Sequence, residues 1–86
     1  MTNYRIVFAR SARKELQVLD GVLAAKLLER IEALAKDPWP PGCRKLRSSS
    51  GAFRIRFGEY RVIYQIDDTA KVVDIVGVRH RRDAYR

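Results

Sequence analysis

Eighty-six residues and 9.9 kDa make one small domain, spanning 1–86. Hydrophobic residues form 47% of the chain, which supplies one core and excludes a disordered polymer, and no apolar run approaches the roughly 18 residues of a membrane helix. The charge is +8, with eighteen Lys and Arg against ten Asp and Glu, so a polyanionic partner is expected and an acidic, metal-buffering surface is excluded.

Thirteen of the eighteen cations are arginine, the residue suited to planar, two-pronged phosphate contacts. They are unevenly placed: residues 1–43 carry a net +2 and residues 44–86 a net +6. The opening MTNYRIVFARSARKE lacks the apolar stretch of a secretory leader, and the single cysteine, Cys43, cannot form an internal disulfide. A reducing, cytoplasmic compartment is therefore expected.

In chain order, Tyr4, Ile6 and Phe8 alternate with Arg5 and Val7 and predict a first strand. Ser11 is placed to cap a helix running to about Leu19, with Gly21 as its stop. A second helix is predicted from about Val22 to Lys36, because Leu23, Leu27, Ile31 and Leu34 recur at spacings of three and four. The proline-rich stretch Asp37–Cys43 can continue neither element, and Trp39 within it reads as a loop anchor or core lid ahead of a base-stacking platform. Two alternating runs, 52–57 and 60–66, flank Gly58-Glu59 and predict a hairpin closed by a type II′ turn. A last strand is expected over about Lys71–Val78. The order β-α-α-β-β-β gives an α+β fold, a helical hairpin on one face of a mostly antiparallel four-stranded sheet.

A two-residue loop fixes the hairpin register: Phe57 faces Tyr60, Arg56 faces Arg61, Ile55 faces Val62, Arg54 faces Ile63 and Phe53 faces Tyr64. Phe53, Ile55, Phe57, Tyr60, Val62 and Tyr64 then share one face, under the helices. Arg54, Arg56 and Arg61 share the other, with Arg56 and Arg61 directly opposed. Like charges so placed destabilise a sheet, so an anionic ligand on that face is expected. The alternative is a solvated charged face that keeps the sheet soluble. Arg79 poses a difficulty: strict alternation puts it in phase with Val73 and Ile75, and it joins the arginine face only if the strand ends or bulges near Gly77.

One histidine, one cysteine and no carboxylates at ligand spacing predict no metal site, and no cofactor motif is present. A cationic face with an imidazole and a phenol suits RNA cleavage, in which the 2′-hydroxyl attacks and the protein binds phosphate, stabilises its extra charge and moves protons. Guanidiniums stay protonated. His80 and Tyr85 are therefore the proton-transfer candidates within the basic cluster.

Four segments together resemble the RelE branch of the RelE/ParE toxins: Arg44-Lys45-Leu46, Phe53-Arg54-Ile55-Arg56, Tyr60-Arg61-Val62-Ile63-Tyr64 and Val78-Arg79-His80-Arg81-Arg82-Asp83-Ala84-Tyr85. Ser11-Ala12 and Lys14-Glu15-Leu16 extend the resemblance to the first helix. The resemblance implies a ribosome-dependent endonuclease that cuts mRNA and is neutralised by a cognate acidic, RelB-like antitoxin, the toxin alone being a monomer. It implies catalytic roles for Arg61, Arg79 and Tyr85, with His80 added by the chemistry above, and phosphate binding by Arg54, Arg56, Lys45, Arg81 and Arg82. Well-known members carry lysines where this chain has Arg54 and Arg56, which shifts weight to His80 as proton donor. Two alternatives stay open: a ParE-like toxin that inhibits DNA gyrase without cutting RNA, and a basic RNA-binding module without catalysis.

Overall fold

A computed structural model describes residues 3–46 and 51–81. Its elements are β1 (Arg5–Phe8), α1 (Arg10–Gln17), α2 (Gly21–Ala33), β2 (Arg44–Lys45), β3 (Ala52–Phe57), β4 (Tyr60–Asp67) and β5 (Val72–His80). The sheet order is β1-β5-β4-β3-β2, with β1 parallel to β5 and every other pairing antiparallel. The α+β arrangement is the one expected, with one strand more than the four anticipated. β2 is only two residues long and pairs Arg44 with Arg54 and Lys45 with Phe53. Two residues cannot display an alternation, so sequence periodicity could not reveal it.

The core lies between the helices and one sheet face. Ala12, Leu27, Ile31 and Leu34 meet Ile55, Val62, Tyr64, Val73, Ile75 and Val78, all buried. Three of the four residues of the expected α2 stripe are fully buried, and Leu23 packs at the margin. Each such aliphatic side chain contributes about 1.5–3 kcal/mol through burial. Phe53 stacks on Tyr64 across the strands, ring centroids 6.1 Å apart, and the Arg30 guanidinium lies 5.6 Å from the Phe57 ring.

Helix boundaries depart from expectation in three places. Ser11 does not cap α1. The helix starts at Arg10 with no side-chain cap, and the Ser11 hydroxyl donates instead to the Val76 carbonyl at 2.9 Å. Gly21 does not stop α1, because it opens α2; the break falls at Asp20, whose extended backbone (φ −53, ψ 139) cannot belong to a helix. α2 ends at Ala33, and Leu34, Ala35 and Lys36 continue as tight turns bonded to the carbonyls three residues back. The Ala35 carbonyl then accepts the Tyr4 amide at 2.8 Å, tying the helix end to the start of β1.

The β3–β4 hairpin follows the expected register at all five pairs. Gly58 has φ 59 while Glu59 does not share the positive-φ region, as a type II′ turn requires. The proline-rich loop is held from two sides. The buried Tyr64 hydroxyl donates to the Pro38 carbonyl at 2.8 Å, and half-exposed Trp39 packs edge-on against Tyr4, making it a loop anchor rather than a core lid. The hydroxyl of the same Tyr4 donates to Asp68, which also pairs with Lys71 at 3.1 Å. These two donors hold the Asp68 carboxyl below the usual carboxylate range. Among the described residues no helix is long and apolar enough to cross a membrane.

Candidate functional site

β5 carries the decisive irregularity. Tyr64 pairs with Ile75, yet the next pair up the ladder joins Ile63 to Gly77, so Val76 is an extra residue on β5. Such a bulge shifts the side-chain alternation by one position. Val73 and Ile75 point into the core before it and Val78 after it. Arg79 is thereby carried to the other face and pairs with Arg61, which pairs in turn with Arg56. Three arginines on three neighbouring strands form one row across the sheet.

A second row flanks it. Arg54 lies two residues from Arg56 on β3 and pairs with Arg44 on one side and Ile63 on the other. Five guanidiniums thus share one face at one end of the sheet. Asp67 and Asp74 hold register positions on the same face at its other end. A cavity of about 550 Å³, lined by Cys43, Arg44, Lys45, Leu46 and Arg54, adjoins the second row. Another of similar volume runs between α2 and β3, and Arg56 reaches it.

The same bulge displaces His80. It pairs with Tyr60, a residue of the helix-side face, and its ring stands edge-on to Tyr60 with centroids 5.2 Å apart. Its register puts His80 beside Tyr60, on the side of the sheet opposite the arginine row. Lys45 lines the cavity beside Arg44 and Arg54 but takes the other face of β2. It pairs with Phe53, so Arg44 and not Lys45 shares the arginine face. Arg81 follows β5, donating its amide to the Glu59 carbonyl while its guanidinium lies 3.9 Å from the Glu59 carboxylate. That pairing is exposed and weak. Arg82 and Tyr85 lie outside the described residues.

Glu15 of α1 was not singled out as a site residue from the sequence. β1 ends opposite Ile75, so the edge of β5 beyond that point has no neighbouring strand. α1 fills the place with two side chains four residues apart. Ser11 donates to the Val76 carbonyl, and Glu15 Oε1 accepts the Val78 amide at 2.8 Å. The second carboxylate oxygen, Oε2, stands 2.9 Å from Arg79 Nε, a close ion pair whose N–H is not aligned for a hydrogen bond. Arg79 folds back over Gly77 to reach it. A Cβ on Gly77 would stand 3.0 Å from Arg79 Nε and 3.2 Å from its Nη2. The spacing of Ser11 and Glu15 is the signal that was present in the sequence, but it gains meaning only once β1 is known to stop short.

Chemically, among the described residues the face offers several cations for phosphate and none of the groups that exchange protons near neutral pH. Among the described residues no group of three or more His, Cys, Asp or Glu is gathered as for a metal. Burial, with the Cys43 thiol as a lesser cause, holds the Tyr64 phenol far above its ordinary value, and it lies beneath the helices away from the arginines.

Comparison with known proteins agrees with this geometry. A family model described as the ParE toxin of a type II toxin–antitoxin system, parDE, matches residues 6–85. Toxin RelG of Mycobacterium tuberculosis is 36% identical over 84 residues, covering 96% of this chain and 97% of that protein. Toxin RelE of the same organism is 31% identical over 84 residues, covering 96% and 87%. Among solved structures, the M. tuberculosis RelBE2 toxin–antitoxin complex contains a chain that superposes with TM-score 0.81 at 32% identity, covering 93% of this chain and 100% of that one. The RelE–RelB complex of Pyrococcus horikoshii gives TM-score 0.81 at 29% identity, covering 93% and 97%. The chain belongs to the RelE/ParE family of toxins from type II toxin–antitoxin systems.

Proposed function

We propose that this toxin is an endoribonuclease that cuts messenger RNA on the translating ribosome in the cytoplasm, through attack of the substrate's own 2′-hydroxyl on the adjacent phosphate. The observation that supports this reading is the row Arg56–Arg61–Arg79, which the bulge at Val76 completes. A phosphate passing to its transition state gains charge, and fixed guanidiniums placed around it stabilise that charge more than the ground state. Arg54 and Arg44 extend the track for neighbouring phosphates of the strand. Proton transfer falls to Tyr85 or to the ribosomal RNA, since His80 faces away. Several of the solved relatives are RelB–RelE toxin–antitoxin complexes, and this toxin is read as having an acidic RelB-like antitoxin that screens the arginine face.

The family model is named for ParE, which favours gyrase inhibition as the second reading. One experiment separates them. Purified toxin is added to a translation reaction programmed with a defined message, and to gyrase with supercoiled plasmid. Message ends that appear only in the presence of ribosomes support the nuclease. Intact message together with gyrase-dependent DNA breaks would overturn it.

A further inference from the structure

We propose that Glu15 is a positioning residue for Arg79, with Gly77 as the opening that makes the position possible. This rests on the reading of the arginine row as a phosphate-binding face. An arginine at the end of a strand has four rotatable bonds and a like-charged neighbour, here Arg61, directly across the ladder. Left to itself it would swing away into solvent, because repulsion and side-chain entropy both favour that. Glu15 opposes both effects. Its carboxylate is itself fixed, since Oε1 accepts the Val78 amide at 2.8 Å, so Oε2 presents charge at a set point 2.9 Å from Arg79 Nε. Anchored at Nε, the guanidinium is left with its two terminal amino groups as the donors for a phosphate.

Gly77 serves the same end by what it lacks. Its backbone is outside the left-handed region, so glycine is not needed there for the chain's path. The space a Cβ would take is occupied by Arg79 Nε and Nη2, at 3.0 and 3.2 Å. Alanine at this position suits the strand and makes the guanidinium give way by a few tenths of an ångström from its place against Glu15. Glu15 and Gly77 thus act on one side chain from two directions.

Because the pair acts through Arg79, their effects must vanish when Arg79 is gone. Glu15→Gln keeps an acceptor for the Val78 amide and removes the charge facing Arg79; Gly77→Ala adds only the Cβ. Each is made alone and combined with Arg79→Ala, and cleavage is followed in single turnover on programmed ribosomes at several ribosome concentrations. Misplacing a transition-state contact costs on the order of a hundredfold at most. Each single variant is expected to lower the maximal rate between about ten- and a hundredfold, with half-saturation little changed, and to lower it no further in the Arg79→Ala background. Full activity in both single variants, or losses that multiply with that of Arg79→Ala, overturns the proposal. The Arg79 Nε–H resonance of the isotope-labelled toxin is recorded alongside, without ribosomes. It should move in Glu15→Gln and in Gly77→Ala, and an unmoved resonance overturns the positioning role even if the toxin proves not to cleave RNA. A toxin that cleaves nothing but shows the shifts would instead overturn the nuclease reading and leave the Glu15–Arg79 coupling standing.

Discussion

Arg61 sits between Arg56 and Arg79, with a guanidinium directly across the ladder on each side. Replacing it by alanine removes two like-charge repulsions together with the contact Arg61 itself makes, so Arg61→Ala is expected to remain folded. Its cleavage rate should fall by roughly a hundred- to a thousandfold, the loss typical of one transition-state donor in a shielded site. Circular dichroism melting and single-turnover cleavage check the two halves; a folded, fully active variant would remove Arg61 from the chemistry. His80 and Tyr85 make a contrasting pair. With its ring against Tyr60, His80 is expected to act in packing, so His80→Gln should cleave within about threefold of wild type with an unchanged pH profile. Tyr85→Phe, which removes only a hydroxyl, should lose at least about a hundredfold if the phenol transfers a proton. Cleavage from pH 6 to 9 for both variants decides between them, and a flattened profile in His80→Gln would return the imidazole to the mechanism.

Among the elements, the β3–β4 hairpin was legible in full because a two-residue loop and strict alternation leave no freedom of register. β5 was legible only as a choice. Whether Arg79 or His80 joins the arginine face depends on one extra residue, Val76, and the neighbouring Gly77 permits that bulge without requiring it. Gly21 opens α2 where it was expected to stop α1, because glycine is common at both ends of helices. The proline-rich loop shows how an irregular element is held, and its anchor can be tested by pH. Tyr64 is buried and donates to Pro38, and burial raises its pKa above the ordinary 10.0. A raised phenol favours folding while protonated, so the contribution is intact below pH 10 and lost as pH rises beyond it. Tyr64→Phe should be less stable by about 1–2 kcal/mol at pH 8, where the Pro38 carbonyl loses its donor. That gap should narrow above pH 10, as urea unfolding of both proteins would show. A gap that stays constant to pH 11 would count against the anchor.

At the scale of the whole molecule, charge is sorted twice. The chain's second half carries most of the excess, and the folded sheet then gathers five arginines at one end of its open face, away from Asp67 and Asp74. Composition foretold a polyanionic partner but not this polarity, which depends on register. An acidic antitoxin bound to such a face should associate quickly and respond strongly to salt. Co-expressed with its antitoxin, the toxin is expected to co-purify at low salt and to bind at least about tenfold more weakly at 0.5 M. Exposed Val18 and Val22, where α1 meets α2, offer an apolar remainder that salt does not weaken. Titration calorimetry at two salt concentrations measures the difference, and an affinity indifferent to salt would show that the arginines are not what the antitoxin covers.

Val76 also governs how this toxin is compared with its relatives. Because it adds half a repeat to β5, every position after it changes side without any change in composition. A relative whose strand lacks the extra residue aligns properly only with a one-residue gap at that point. Closing the gap for the sake of a continuous match would set Arg79 against a core position and Val78 against an arginine-row position, and a toxin that keeps the row would then be mistaken for one that has lost it.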